Sequence, residues 1–224
     1  MGVTSRKIAI FIALIFYLLS LSLVVCSFLT EYWVISGVSS ENGEVTGRSR
    51  VNVGLLSGMR ELDWGLGVRY IPFSVLGEIQ SDVSFYNRIL WIFILFFIAL
   101  GILWICVGIV TSILSSFTAQ QDSIAGPIGI YLWSLLALLS LTASCIMFYI
   151  QFHTTMQKNL LTAEQIQAGY STQGLAKLGS SFYFMLGALV ALYFPPLFVF
   201  ISTDSGTDGK LSKIVSTDPT ALLY

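Results

Sequence analysis

The run ILWIFILFFIALGILWICVGIVTSIL, residues 89–114, contains no Asp, Glu, Lys or Arg. At a helical rise of about 1.5 Å per residue it exceeds the roughly 20 residues needed to cross the ~30 Å hydrocarbon core of a bilayer. Three more runs of this kind occupy residues 8–29, 127–150 and 181–202. Polar segments flank the third and the fourth, so they cannot merge. The chain is therefore expected to be an all-α membrane protein, a four-transmembrane-helix bundle.

Composition agrees. Charged residues are 10 % of the chain and the hydrophobic set is 55 %, with mean hydropathy +0.82, whereas soluble domains carry about a quarter charged residues. Lipid must be the main solvent. A net charge of −1 and the lack of a polybasic run give no field to gather nucleic acid or anionic headgroups, so the bilayer is expected as a partner and nucleic acid is not. Cys26, Cys106 and Cys145 all fall inside apolar runs, where neither a disulfide framework nor a zinc site can be built. They read as small apolar side chains, with palmitoylation of Cys26 or Cys106 as the alternative.

The first run follows Arg6 and Lys7 but is longer than a signal-peptide core of about 7–15 residues, so a retained helix is expected. An even number of spans puts both termini on one side, and Arg6 and Lys7 favour the cytoplasm. That leaves a first outer loop at 30–88, a second at 151–180 and a cytoplasmic tail at 203–224. No ionisable side chain lies within the spans, which disfavours a pump or secondary transporter. His153, the single histidine, reads as an interfacial polar residue.

Small residues recur at helical spacing: Gly101, Gly108 and Ser112 on the second span, Ser134, Ala137, Ser140 and Ser144 on the third, Gly187 and Ala191 on the fourth. In lipid, helices associate through close backbone approach at such faces, which serves the folding of one bundle or a homo-oligomer. Pro195 and Pro196 remove backbone donors and predict a kink.

In the first loop the pattern changes to period two. Val51, Val53 and Leu55 fall on one side and Asn52, Gly54 and Leu56 on the other, residues 69–75 read similarly, and Gly54, Gly58, Gly65 and Gly67 punctuate the pair. A small extracellular antiparallel β-sheet standing on the bundle follows. Trp33, Trp64, Trp91 and Trp133 read as interfacial aromatics. In the second loop, Thr162 with Gln165 matches a capping box and predicts a short helix through about Ala168.

No Asn-x-Ser/Thr sequon occurs. With no base near a nucleophile, no Gly-rich phosphate loop and no metal cluster, the chain is not expected to be an enzyme or to take a cofactor or metal. The terminus Leu222-Leu223-Tyr224 can add as a strand to a PDZ domain, its carboxylate held by backbone donors.

Gly126-Pro127-Ile128-Gly129-Ile130-Tyr131-Leu132-Trp133-Ser134, opening the third span, resembles the Gly-Pro-x-Gly-x-Tyr-Leu segment of the clarins, four-span proteins of the claudin and tetraspan-like group. Gly54-Leu55-Leu56 followed by Gly65-Leu66-Gly67 is similar to their first-loop Gly-Leu elements. The end Leu222-Leu223-Tyr224 looks like the family's aliphatic-Tyr terminus. Trp64 stands where the family has a first-loop cysteine, which marks a divergent member. The resemblance implies a multi-pass plasma-membrane organiser of sensory cells, associated with actin-rich protrusions and synapses and acting through membrane or cytoplasmic scaffold proteins. The competing readings are a claudin-type cell adhesion or barrier protein, supported by Trp33 and Gly54-Leu55, and an auxiliary ion-channel subunit.

Overall fold

The computed structural model describes residues 2–39, 45–63, 67–80, 85–117 and 127–217. Along the chain these form helix α1 (Gly2–Leu29), strands β1 (Val34–Ser39), β2 (Val45–Val53), β3 (Ser57–Asp63) and β4 (Val68–Ser74), and helices α2 (Val75–Gln80), α3 (Arg88–Phe117) and α4 (Pro127–Gln151). A π-turn (Phe152–Met156), α5 (Ala163–Gln167), β5 (Ala176–Leu178) and α6 (Ser180–Thr217) follow. Four stretches among the described residues are long and apolar enough to span a membrane, Lys7–Leu29, Arg88–Ser116, Ile128–Met156 and Ser180–Ser202. The protein is a four-transmembrane-helix bundle with a small antiparallel sheet.

Local chemistry sets the helix ends. Pro127 is the first residue of α4, where its fixed φ suits the first turn and its missing N–H is no loss. Asn87 caps α3, its Oδ1 accepting from the Ile89 and Leu90 backbone N–H groups as an N-cap does. Helix α6 stays helical through Pro195 and Pro196, so the expected kink does not interrupt it. It also runs past Ser202 to Thr217, so the segment expected as the tail starts as helix. Extending a formed helix avoids the cost of a new nucleus.

By contacts the chain divides into two compact units, residues 1–21, 102–138 and 189–224, and residues 22–101 and 139–188. In the first unit Tyr17 of α1 is fully buried. Its hydroxyl donates to the Ile130 carbonyl at 3.0 Å and pairs with Ser134 Oγ. Gly108 lies against its ring, where a Cβ would come within 2.7 Å. Phe16 stacks on Phe194 with centroids 4.5 Å apart, and Trp104 on Trp133 at 5.5 Å.

In the second unit Gly101 admits the Leu141 side chain, Ser144 donates to the Ile94 carbonyl at 3.3 Å, and Ser27 to that of Ser181 at 2.6 Å. Gly101, Gly108, Ser112, Ser134, Ala137, Ser140, Ser144 and Ala191 are all buried within the chain, which assigns the small-residue faces to packing inside the bundle. Large apolar residues point outward instead, among them Phe11, Ile15, Phe96, Val110, Leu139 and Phe200, as lipid requires.

The sheet order is β4-β3-β2-β1-β5, and every pairing is antiparallel. Three of the strands are additions to the sequence-based expectation. The first, β1, precedes the stretch expected to be strand. The second, β3, carries Arg60 at an inward position, which hides its alternation. The third, β5, comes from the second loop, so both loops build one sheet. The expected strand at 51–56 ends at Val53, and the one at 69–75 ends at Ser74 because Val75 begins α2.

Candidate functional site

The sheet meets the helices through the turn after β2. The Gly54 N–H donates to the Ser57 carbonyl at 2.8 Å. A Cβ on Gly54 would sit 2.8 Å from Ser57 O, 2.9 Å from Glu31 Cα and 2.9 Å from Thr30 O, so three backbone atoms leave room for glycine alone. Leu55 is fully buried. Two aromatic side chains bind this turn: the Tyr86 hydroxyl donates to the Gly54 carbonyl at 2.7 Å and Trp91 Nε1 to that of Leu55 at 2.8 Å. Burial pushes the Tyr86 phenol well above its ordinary pKa, so it stays a neutral donor.

Trp33, expected at the interface, lies instead in the core. It is fully buried, lies edge-on to Phe148 at 4.5 Å and to Phe182 at 5.9 Å, and donates from Nε1 to the Ser27 carbonyl at 2.7 Å. That bond is what a buried indole requires.

Behind the sheet lies a buried cation. Arg60 of β3 is 2 % exposed. Its Nη1 and Nη2 donate to the two carboxylate oxygens of Glu78 on α2, at 3.0 and 3.1 Å, and Nη2 also reaches the Leu160 carbonyl at 3.4 Å. The guanidinium lies 4.1 Å from the centroid of the Phe73 ring and 5.5 Å from that of Phe85, adding cation–π attraction in a desolvated setting. One side chain thus ties β3, α2, β4 and the second loop together.

The second loop is fastened along its length. Ser39 and Ser171 exchange both backbone hydrogen bonds, at 2.8 and 2.9 Å, and Val34, Ile35 and Ser36 pair with Leu178, Lys177 and Ala176. Thr172 Oγ1 accepts from the Leu160 N–H and donates to Asn159 Oδ1, both at 2.8 Å. Tyr170 donates to the Asp63 carbonyl at 3.1 Å. Helix α5 starts at the capping box expected from sequence, with Gln165 Oε1 accepting from the Thr162 N–H at 3.2 Å.

The residues singled out by sequence scatter across this framework. Gly54 and Leu55 form the seat of the sheet. Gly67 is exposed, with φ +112, a conformation that favours glycine. Pro127 opens α4 and Gly129 is buried on it. Gly65, Gly126, Leu222, Leu223, Tyr224 and Trp64 lie outside the described residues. His153 is exposed, pairs with Gln157 Oε1 at 3.0 Å and packs on Tyr149, close to the end of the apolar stretch Ile128–Met156.

A family model described as Clarin-2-like matches residues 7–167. The chain belongs to the clarin family. Human Clarin-3 is a relative, 28 % identical over 177 residues, which cover 75 % of this chain and 72 % of Clarin-3. The match takes in the first three spans, the turn at Gly54 and the Arg60–Glu78 pair, so strands β1 to β4 and their seat lie within the matched residues, while β5 follows them. Clarin membership points to a non-enzymatic membrane protein. Sequence reasoning missed Arg60 and Glu78 in this clarin. Their one signal is Gly58, Arg60 and Leu62 at period two, with the cation at an inward position.

Proposed function

We propose that this clarin is a non-catalytic membrane organiser at the plasma membrane, with its sheet outside the cell and both termini in the cytoplasm. The clarin resemblance extends this to sensory-cell membranes, their actin-rich protrusions and synapses. The bundle fixes the protein in the bilayer, the two outer loops act as one body, and the tail recruits cytoplasmic scaffold proteins. The observation carrying this reading is that β5 of the second loop completes the first-loop sheet, with Arg60 bound to Glu78 and to Leu160 behind it. Such joining suits a protein whose work is to hold a fixed surface in place.

The tail carries the testable part. Co-precipitation of the full chain with a panel of PDZ domains is expected to recover at least one of them. Deletion of residues 222–224 abolishes that recovery while surface level and helical content stay unchanged. Equal recovery with and without the tripeptide contradicts the assignment.

A claudin-type adhesion or barrier role is the second reading. Burial of Trp33 and the glycine-specific turn at Gly54 favour it, because they give the sheet a rigid base from which to meet a neighbouring cell. Aggregation of expressing cells and a rise in barrier resistance distinguish it from the organiser.

A further inference from the structure

The ends of two spans fix the height of the β2–β3 turn. A Cβ on Gly54 would lie 2.9 Å from Thr30 O, and Thr30 directly follows the span Lys7–Leu29. Trp91, on the first turn of the span Arg88–Ser116, donates from Nε1 to the Leu55 carbonyl. The turn therefore sits at the edge of the hydrocarbon, where indoles collect.

At that height an apolar side chain faces outward. Leu55 is fully buried, whereas Leu56 is 40 % exposed. The Leu56 carbonyl accepts from the Val75 N–H at 3.0 Å, which sets the start of α2 at the same level. Val75 and Ile79, one helical turn apart, are buried, and Leu76 between them is 50 % exposed. Glu78 of the same helix is held by Arg60, which fixes the roll of α2 and keeps Leu76 outward. On a water-facing surface two exposed leucines would call for no explanation. Here depth sets their surroundings, because lipid or another membrane protein lies beside the first turn of a spanning helix.

The nearby charges agree. Glu31 accepts from Ser57 Oγ and Glu78 pairs with Arg60, so these carboxylates are held within the protein. Arg88, the first residue of α3, is exposed, at the level where long cationic side chains reach the headgroups.

We propose that Leu56 and Leu76 form a lipid-contact site, entering the boundary between headgroups and acyl chains of the leaflet beside the sheet, with Arg88 at the phosphates. Phospholipid is the occupant because the two leucines continue, at the same depth, the lipid-facing surface of α3, whose exposed residues include Ile89, Ile92 and Phe93. Burial of their apolar area in lipid holds the sheet at a fixed height over the leaflet, whichever side of the membrane the sheet occupies.

Spin labels on the full-length protein in phosphatidylcholine nanodiscs test this. Leu56→Cys, Leu76→Cys and, for comparison, Tyr70→Cys each carry a nitroxide, with Cys26, Cys106 and Cys145 replaced by alanine. Tyr70, 65 % exposed and further along β4 from the seat, marks water. The labels at 56 and 76 are expected to favour collision with oxygen, which partitions into lipid, over collision with a water-soluble nickel chelate, by a ratio several-fold above that at 70. Equal ratios at all these positions overturn the proposal, as does a label at 56 or 76 shielded from both reagents or broadened by the spin of a second copy. Wild-type protein supplies a readout free of substitutions. In nanodiscs whose phosphatidylcholine carries a diazirine near the ester end of an acyl chain, irradiation is expected to leave lipid adducts on Leu56 and Leu76, and their absence overturns the proposal.

Discussion

Gly54→Val is expected to reach the cell surface at a small fraction of the wild-type level and to unfold at markedly lower temperature. The cause is space. Gly54 needs no left-handed backbone, and among the described glycines that conformation belongs to Gly67, Gly169 and Gly174. What forbids a side chain at 54 is the closeness of Ser57 O, Glu31 Cα and Thr30 O, all backbone atoms within 3 Å of a Cβ. None can swing aside as a flexible side chain could. Valine must push the β2–β3 turn off the end of α1 and with it the Tyr86 and Trp91 bonds. Overpacking of a tight core costs about 1–3 kcal/mol, and a clash with three backbone atoms belongs at the top of that range. Surface biotinylation and thermal unfolding of the solubilised protein measure it, with Gly67→Ala, which has open space around its Cβ, as the milder comparison.

Breaking the buried ion pair is the second large effect. Glu78→Ala leaves the Arg60 guanidinium buried with its counter-ion gone, a loss of about 3–5 kcal/mol for such pairs. Glu78→Gln keeps an acceptor for one guanidinium N–H and falls between the two. The double change Arg60→Met with Glu78→Leu is expected to be less harmful than Glu78→Ala, because replacing both partners by apolar groups of similar size leaves no uncompensated charge. The two carboxylate bonds, the Leu160 contact and the Phe73 ring all depend on one side chain, so the loss should loosen the second loop as well as α2. Hydrogen exchange at Ser39 and Ser171, whose amides bond each other's carbonyls, is the local readout, and it should quicken more in Glu78→Ala than in Glu78→Gln.

Much of this architecture is legible in the sequence because the bilayer leaves few choices. Uncharged runs of sufficient length must be helices there, since each backbone group has to be satisfied within its own segment. The small residues at helical spacing correctly mark the packed faces, and Gly101 and Gly108 take Leu141 and Tyr17 side chains against them. Val51, Val53 and Leu55 are legible for a similar reason: all three are fully buried, though the strand itself stops at Val53.

The remaining features depend on contacts between distant residues. Strand β5 is three residues long and owes its conformation to pairing with β1, which no local pattern encodes. Arg60 disguises β3 because a charged residue at an inward position is tolerable only when its partner, here eighteen residues away, is already known. Trp33 reads as an interfacial aromatic until Phe148 and Phe182 are seen to enclose it. In the candidate site, Gly54 and Leu55 were visible from sequence, while the ion pair required the fold.

The organiser reading stands on orientation, with the sheet outside and the tail inside, and epitope tags test this directly. One tag is placed at the N-terminus and another within residues 39–47, where β1 passes into β2, and cells are stained before and after permeabilisation. The account predicts that the tag in the first loop is stained on intact cells and the N-terminal tag only after permeabilisation. An N-terminal tag stained on intact cells, with the loop tag hidden, would put the tail outside the cell and contradict the proposed role.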